Sequence, residues 1–186
     1  MPVVINGSGT VTGISVGGLP DGIVDADMLA SGVGGKILQV KSTIKTDTFS
    51  TTSSSFVDVT NMSIDIDPIA ASSKILVLVE TNSSTSSGNN AIFRLVRGST
   101  AIALGDAAGS RTQGTFQQRV NDGNASLNGS IKFLDAPTYN VGDTLTYKLQ
   151  ALVQGGGLDI NRTATNTDGA AYGRPVSSIT VMEVAT

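Results

Sequence analysis

From residue 36 onward, apolar and polar residues alternate in short segments, which is the pattern of strands in a sheet with one buried face. Residues 56–66 place Met62, Ile64 and Ile66 on one side and Asp65 on the other. Residues 144–153 repeat this pattern, and their apolar positions are Leu145, Tyr147, Leu149, Ala151 and Val153. No segment has a convincing helical period.

Turns rich in glycine, asparagine and serine separate the predicted strands. The strands are expected at residues 36–45, 56–66, 74–82, 91–98, 101–105, 115–120, 126–135, 144–153 and 176–184. Short strands at this spacing predict an all-β fold, an antiparallel β-sandwich. A jelly roll is the specific topology that we expect.

Residues 75–79 are apolar at five consecutive positions, so both faces of this strand avoid water. Residues 91–98 also carry apolar side chains on both faces. Because the sequence offers no helix, the outer face is covered either by a long loop or by another subunit. We favour another subunit, since exposed apolar surface promotes association. This hypothesis assigns an oligomer interface to Ile75, Val77, Val79, Ile92 and Val96.

Aromatic residues make up only 4% of the chain, so few large side chains are available to fill a core. Self-association would supply burial that a single chain lacks. We therefore expect an obligate homo-oligomer. A homotrimer is favoured, because a three-fold axis lets an extended N-terminal arm wind beside the same axis as the heads.

Residues 1–35 differ from the rest of the chain: they are rich in glycine, lack aromatic residues and carry aliphatic residues at irregular intervals. The composition predicts an N-terminal arm at residues 1–35 and a β-sandwich head domain at residues 36–186. A disordered leader is one interpretation. We favour an arm stabilised by identical copies that wrap each other, because disordered segments are usually rich in charge and poor in aliphatic residues. Asp25 can cap a single helical turn, whose Met28 and Leu29 join the predicted oligomer interface.

The composition excludes several classes of chemistry. Without His or Cys, the chain cannot build a serine–histidine or cysteine–histidine catalytic site, a thiolate or imidazole zinc site, or a disulfide. A net charge of −3 argues against a nucleic-acid partner. No apolar run approaches the roughly 20 residues of a membrane-spanning helix, and no signal peptide is visible. We expect a protein made in a cytosol, without membrane insertion, cofactor, metal or enzymatic activity.

Two groups of carboxylates have spacings that suggest chemistry. Asp65 and Asp67 would point the same way from one strand, as an acid/base pair or a Ca²⁺ site requires, but a solvated strand end explains them better. Asp21, Asp25 and Asp27 lack the other ligands of a calcium-binding loop, so capping of a helix is favoured.

Residues 105–111, Gly-Asp-Ala-Ala-Gly-Ser-Arg, superficially suggest a phosphate-binding loop. They lack the Gly-Lys-Ser/Thr ending of such a loop, and no strand–helix–strand pattern surrounds them. We therefore interpret them as a structured turn between strands.

Tyr172 is the one aromatic residue on a long polar loop at residues 166–174, and its surroundings have the composition of a binding loop. Amide and guanidinium side chains at other turns add hydrogen-bonding capacity. The candidate receptor-binding residues are Asn89, Asn90, Arg111, Gln113, Tyr172 and Arg174. Ordinary solvated loops are the alternative interpretation.

Several motifs together resemble virion-associated proteins of bacteriophages that infect aquatic bacteria, cyanobacteria especially. They are the arm GTVTGISVGGLPDGIVDADMLASG, the following GGKILQV, and the head segments DPIAASSKILVLVETN, FRLVRGSTAIALGDAAGSR and SSITVMEV. The resemblance covers nearly the whole chain. Such proteins are generally described as tail fibre or virion structural proteins.

The resemblance implies a trimeric tail fibre in the virion, assembled in the host cytoplasm. Its arm would attach to tail or baseplate proteins, a role that we assign to Val3, Val4, Ile5, Val11 and Ile14. Its heads, similar to trimeric complement-C1q/tumour-necrosis-factor jelly rolls, would adsorb to a glycan or protein of the host surface. The chain lacks the shaft repeats of long tail fibres. It therefore either reaches the receptor itself or is a small accessory fibre. A purely structural role in a capsid decoration, neck or baseplate is the alternative function, and a polysaccharide depolymerase is disfavoured.

Overall fold

The computed structural model describes residues 36–86 and 88–186, together with the backbone of two short strands near the N-terminus. The chain divides into two units, Met1–Lys36 and Ile37–Thr186. In the first unit, β1 (Val4–Ile5) and β2 (Val11–Thr12) pair antiparallel. The other predicted features of the arm, including the turn at Met28 and Leu29, lie outside the described residues.

The described part of the second unit contains eleven strands and no helix, as the alternation predicts. They are β3 (Ile37–Lys45), β4 (Phe49–Thr51), β5 (Val57–Ile66), β6 (Lys74–Thr85), β7 (Asn90–Arg97), β8 (Thr100–Ile102), β9 (Phe116–Arg119), β10 (Leu127–Asp135), β11 (Leu145–Gln154), β12 (Leu158–Ile160) and β13 (Ser177–Val184). Within this part of the chain, no helix is long and apolar enough to cross a membrane.

The strands form two antiparallel sheets. In sheet I the order is β3-β13-β6-β12-β4, and β10 pairs with β6 along its other edge. In sheet II the order is β5-β11-β7-β8, and β9 follows β8 along the same partner strand, β7. Apolar side chains of both sheets form one core cluster. The all-β antiparallel fold is thereby confirmed, and the arrangement is that of two sheets enclosing one core.

The core contains the faces that the alternation predicts. Met62 and Ile66 of β5 and Tyr147 and Leu149 of β11 are completely buried, whereas Asp65 is exposed. In contrast, Leu127 of β10 is 44% exposed although the alternation places it with buried residues of the same strand. Tyr147 was expected in the core, and this prediction is confirmed.

The two faces of β6 lie in different environments. Ile75, Val77 and Val79 face the core and are at most 1% exposed, whereas Leu76 and Leu78 point outward and are half-buried. The side chains that we assigned to an oligomer interface are thus already covered by the chain itself. A contact through this strand would have to use Leu76 and Leu78 instead, because alternate residues of a strand face opposite sides.

Ile92 and Val96 of β7, the other described residues of the predicted interface, are 8% and 2% exposed. They lie on the face of sheet II opposite the core residues Phe93 and Leu95. Ile92 is covered by the chain's own return to the sheet, since a Cβ added at Gly114 would lie 2.4 Å from its Cγ2. Val96 therefore offers no free surface to a partner, and Ile92 leaves only a small part of its surface exposed.

A buried polar cluster joins the two sheets. Arg97 of β7 and Tyr147 of β11 both donate hydrogen bonds to Asp135 Oδ2 of β10, at 2.5 Å from Nη1 and 2.7 Å from Oη. Burial, followed by the hydrogen bond to Asp135, raises the pKa of the Tyr147 hydroxyl. The phenol therefore stays protonated and serves as a donor that ties sheet II to sheet I.

Glu183 of β13 is completely buried and holds the connection between β5 and β6. Its carboxylate accepts hydrogen bonds at 3.0 Å from each of the backbone nitrogens of Ile69 and Ala70, and at 2.7 Å from Gln39 Nε2. Burial acts to raise the pKa of Glu183, but the bonds from Gln39 and from the two backbone nitrogens outweigh it and lower the pKa. The charged form is therefore favoured by the fold.

Candidate functional site

The connections at one end of the sandwich are hydrogen-bonded into a single surface, which we call the loop end. Ser86 N donates to Gly157 O at 2.9 Å, and Gly88 N donates to Val120 O at 3.2 Å. Thr165 N donates to Gly123 O at 3.0 Å. The loop end therefore unites the connections that follow β6, β9, β11 and β12.

Tyr172 and Arg174 line one cleft of about 430 Å³ at the loop end, which we call the Tyr172 cleft. Tyr172 is half-buried, and its backbone nitrogen donates to Gly169 O at 2.9 Å in a tight turn. Arg174 Nη2 donates to Asn166 Oδ1 at 2.7 Å. The remaining lining residues are Asn124, Ser126, Thr163, Ala171, Gly173 and Pro175. The fold thus brings together the two candidates from the long polar loop.

Asn90 and Arg111 line a second cleft, of about 470 Å³, which we call the Arg111 cleft. Asn90 begins β7 and is in register with Gln154 at the end of β11. Gln117 of β9 is in register with Ile92, the apolar residue that faces this side of sheet II. The connection between β8 and β9 completes the cleft, so its lining is Asn90, Ile92, Ser110, Arg111, Thr112, Gln117 and Gln154.

Gly114 allows the connection between β8 and β9 to return close to sheet II. A Cβ at this position would meet Ile92 Cγ2 at 2.4 Å and Phe93 O at 3.0 Å. The next residue then fastens the return, because Thr115 N donates to Phe93 O at 2.7 Å and Thr115 Oγ1 accepts from Leu95 N at 3.0 Å. The absence of a side chain at residue 114 is therefore what positions Arg111 beside the sheet.

Two candidate residues lie outside the linings of both clefts. Gln113 Nε2 donates to Gly105 O at 2.7 Å, closing the neck of the connection between β8 and β9. Asn89 Nδ2 donates to Ser86 O at 3.1 Å, and this side chain packs beside Gly155 and Gly156. Both amides are thus engaged in holding loops of their own chain.

Sequence reasoning missed a third cleft, of about 510 Å³, lined by Asp159 and Arg162. Asp159 of β12 is only 6% exposed; it pairs with Arg162, and its Oδ1 also accepts from Ser50 Oγ at 2.7 Å. Arg162 Nη2 in turn donates to Ser50 Oγ at 2.9 Å. Because these polar groups bond to one another, the cluster serves to hold β4 against β12. The Asp-Ile-Asn-Arg segment after the glycine triplet is the signal that could have indicated it.

Asp65 and Asp67 form cross-strand hydrogen bonds. Asp65 Oδ1 accepts from Thr146 Oγ1 at 2.6 Å, and Asp67 Oδ1 accepts from Thr144 Oγ1 at 2.7 Å. The bond from Thr144 and the charge of Lys41 outweigh burial and lower the pKa of Asp67. A general acid needs a pKa shifted upward, towards the working pH, so the environment of Asp67 does not suit that role.

Within residues 36–86 and 88–186, no group of three or more acidic side chains is placed to hold a metal ion. Asp21, Asp25 and Asp27 lie outside the described residues. Comparisons with protein-family models and with curated proteins find no match to this chain. The faces and clefts of the fold and the motifs of the sequence are therefore the features that bear on function.

Proposed function

We propose that the chain is a non-enzymatic tail fibre protein of a bacteriophage virion. In this proposal a homotrimer of jelly-roll heads adsorbs to the host surface, and the N-terminal arm attaches to tail or baseplate proteins. The observation that carries the proposal is a row of apolar side chains on the outside of sheet I. The resemblance of the arm and head motifs to virion proteins supplies the biological setting.

The row crosses four neighbouring strands. Val40 of β3 is in register with Met182 of β13, Met182 with Leu76 of β6, and Leu76 with Leu134 of β10. Val40 and Leu134 are 55% and 47% exposed, and the other two are half-buried. With neighbouring strands about 4.8 Å apart, the row is about 15 Å long. We call these four residues the outer row.

A second copy of the chain is the occupant that this face supports. Ile37 (53% exposed), half-buried Val184 and half-buried Leu78 extend the outer row, and exposed apolar surface of this kind marks association. The same face carries Glu80 and Lys132, so identical surfaces can present opposite charges to each other. Self-association also supplies burial to a chain with few aromatic residues.

The strand order supports the jelly-roll component of the proposal. Along the chain, β5, β6 and β7 alternate between sheet II and sheet I, and so do β10, β11 and β13. Such repeated crossing between two antiparallel sheets is typical of a jelly roll. The Tyr172 and Arg111 clefts favour adsorption over catalysis, because their linings offer hydrogen-bonding groups but no carboxylate that could activate a nucleophile.

The outer row gives a direct test by mass measurement. The unmodified full chain is expected to have the mass of three copies in dilute buffer. Leu76→Lys combined with Leu134→Lys should leave a folded monomer, because two buried charges without partners cost several kcal/mol. Val141→Lys is the matched control, since Val141 is 57% exposed but lies in a turn before β11. A monomeric unmodified chain, or a double variant that remains trimeric, would contradict the proposed interface.

Location on the virion tests the rest of the proposal. Labelled antibody against the head should bind at tail fibres of intact particles. Labelling of the capsid, neck or baseplate would instead favour the purely structural alternative.

A further inference from the structure

We propose that the Arg111 cleft binds an acidic sugar, that is, a ring with several hydroxyl groups and a carboxylate. The inference rests on the proposed function, because it names the chemical class of the host-surface ligand. Three properties of the cleft carry it: its charge, its unused hydrogen-bonding groups and its apolar floor.

The Arg111 cleft carries a positive charge that comes from a single residue. Arg111 is the one charged residue in the lining, which contains no carboxylate. Within the described part of the chain, Arg111 forms no ion pair, and its side chain makes a single long hydrogen bond, from Nη1 to Ala108 O at 3.4 Å. A guanidinium group without an acidic partner is suited to a carboxylate, to which it can donate two parallel hydrogen bonds.

Polar side chains around Arg111 retain hydrogen-bonding capacity. The hydroxyls of Ser110 and Thr112 and the amide of Gln154 have no hydrogen-bond partner among residues 36–86 and 88–186. Gln117 Nε2 donates to Asn90 Oδ1 at 3.2 Å, which leaves the amide nitrogen of Asn90 and the amide oxygen of Gln117 for a ligand. Hydroxyl and amide groups both donate and accept, and the hydroxyls of a sugar require this combination.

The third cleft, lined by Asp159 and Arg162, shows the opposite arrangement. Its arginine is neutralised by Asp159, and Ser50 bonds to both members of the pair. A ligand there would have to replace hydrogen bonds that the protein already makes. In the Arg111 cleft a ligand would add hydrogen bonds, so this cleft is the better candidate for ligand binding.

Ile92 supplies an apolar floor beneath the polar groups. Its side chain is 8% exposed, and it lies between Asn90 and Arg94 on the outer side of β7. The lining contains no aromatic ring, so a sugar would gain contact area but no stacking. Affinity per site should therefore be weak, and several copies acting together would raise it by a factor of about 10² or more.

The test uses the full chain and two immobilised acidic polysaccharides, polygalacturonate and alginate, with galactan as the neutral comparison. Binding is measured at about 0.15 M salt, where long-range attraction between charges is largely screened. We expect binding to at least one acidic polymer and at least tenfold weaker binding to galactan. Binding to neither acidic polymer, or equal binding to galactan, would overturn the inference.

Two matched variants locate the binding. Arg111→Gln removes the guanidinium but keeps an amide, and it should weaken acidic-polymer binding at least tenfold. Lys36→Gln makes the same change of charge at an exposed position outside the linings of the three clefts and should leave binding within twofold. Equal losses in the two variants would mean that net charge alone attracts the polymer, and the inference would be wrong. Unchanged thermal unfolding temperatures would show that both variants are folded.

The mass of each preparation separates this inference from the proposed function. A trimer that binds neither acidic polymer would overturn the acidic-sugar inference alone. A monomer that binds polygalacturonate through Arg111 would overturn the trimeric fibre proposal and leave the cleft assignment intact.

Discussion

The outer faces of the two sheets differ although both belong to strands with the same alternation. Sheet I presents the outer row, in which the four cross-strand neighbours are all apolar. Sheet II presents a polar network: Lys148 Nζ and Gln150 Nε2 donate to Asp58 at 2.9 and 2.6 Å, and Arg94 Nε donates to Gln150 Oε1 at 2.8 Å.

The Arg94 guanidinium also lies 4.0 Å from the centre of the Phe56 ring, so even the aromatic residue on this side is covered by a charge. Polar and charged side chains of a single chain thus form this water-facing surface of sheet II. The outer face of sheet I instead leaves the apolar outer row partly exposed, and this is the surface that the proposed self-association would cover. Alternation alone does not distinguish the polar outer face of sheet II from the apolar outer row of sheet I. The difference depends on which residues occupy the outward positions.

The largest loss of stability is expected for a change in the core between the two sheets. This loss is the reference for changes on the two outer faces. Leu149→Ala removes a completely buried side chain of the core and should lower the free energy of unfolding by about 2–5 kcal/mol. Leu76→Ala, on the outer row, should lower the free energy of unfolding of the isolated head by less than about 1.5 kcal/mol. It should also weaken self-association. Urea denaturation and mass measurement together check this. A larger loss of stability for Leu76→Ala than for Leu149→Ala would contradict the division into inner and outer faces.

Glu183 extends the comparison of the faces to a charged group, because its carboxylate lies on the inner side of sheet I. Glu183→Gln should lower the free energy of unfolding at pH 7 by about 1–3 kcal/mol, since a buried hydrogen-bonded carboxylate is lost. The folded-state pKa lies below the ordinary value of 4.5. The stabilisation from ionised Glu183 is therefore present above that value and is lost as the pH falls through the folded-state pKa.

Urea midpoints measured from pH 7 to pH 3 check the effect. The decrease in stability on acidification should be smaller in Glu183→Gln than in the unmodified chain. Asp67→Asn is a useful control, because Asp67 also has a lowered pKa but lies at an exposed position. Parallel pH curves for the unmodified chain and Glu183→Gln would contradict the role given to this carboxylate.

The smallest loss of stability is expected for a change on the outer face of sheet II. The Asp58 carboxylate is 54% exposed, and the hydrogen bonds from Lys148 and Gln150 lower its pKa. Asp58→Asn should lower the free energy of unfolding by less than about 1 kcal/mol, as is usual for exposed ion pairs. It should leave the oligomeric state unchanged, since this face needs no partner. A change in mass would show that sheet II takes part in assembly.

Part of the fold could be predicted because it depends on local alternation. The faces of β5 and β11 follow from the spacing of residues such as Met62, Ile66 and Leu149. In contrast, β4 and β12 lie outside the strands that the alternation predicts. Each has three residues: β12 pairs with β6 on one side and with β4 on the other, and β4 pairs with β12.

The candidate site was predictable only in its residue types. Tyr172 and Arg174 are close in sequence, so their shared cleft required little tertiary information. Asn90 and Arg111 line the same cleft because Gly114 lets a connection return to the sheet, and the spacing of residues along the chain does not encode this return. For the same reason Gln113, close to Arg111 in sequence, bonds to Gly105 in the neck of that connection.

The sequence by itself determined that the chain is all-β, that imidazole and thiol chemistry are excluded, and that β6 is apolar on both sides. Only the tertiary structure decided that Ile75, Val77 and Val79 face the core and that Leu76 joins the outer row. A two-sided apolar strand is symmetric in its pattern, so only the packing of the opposite sheet determines which face is buried.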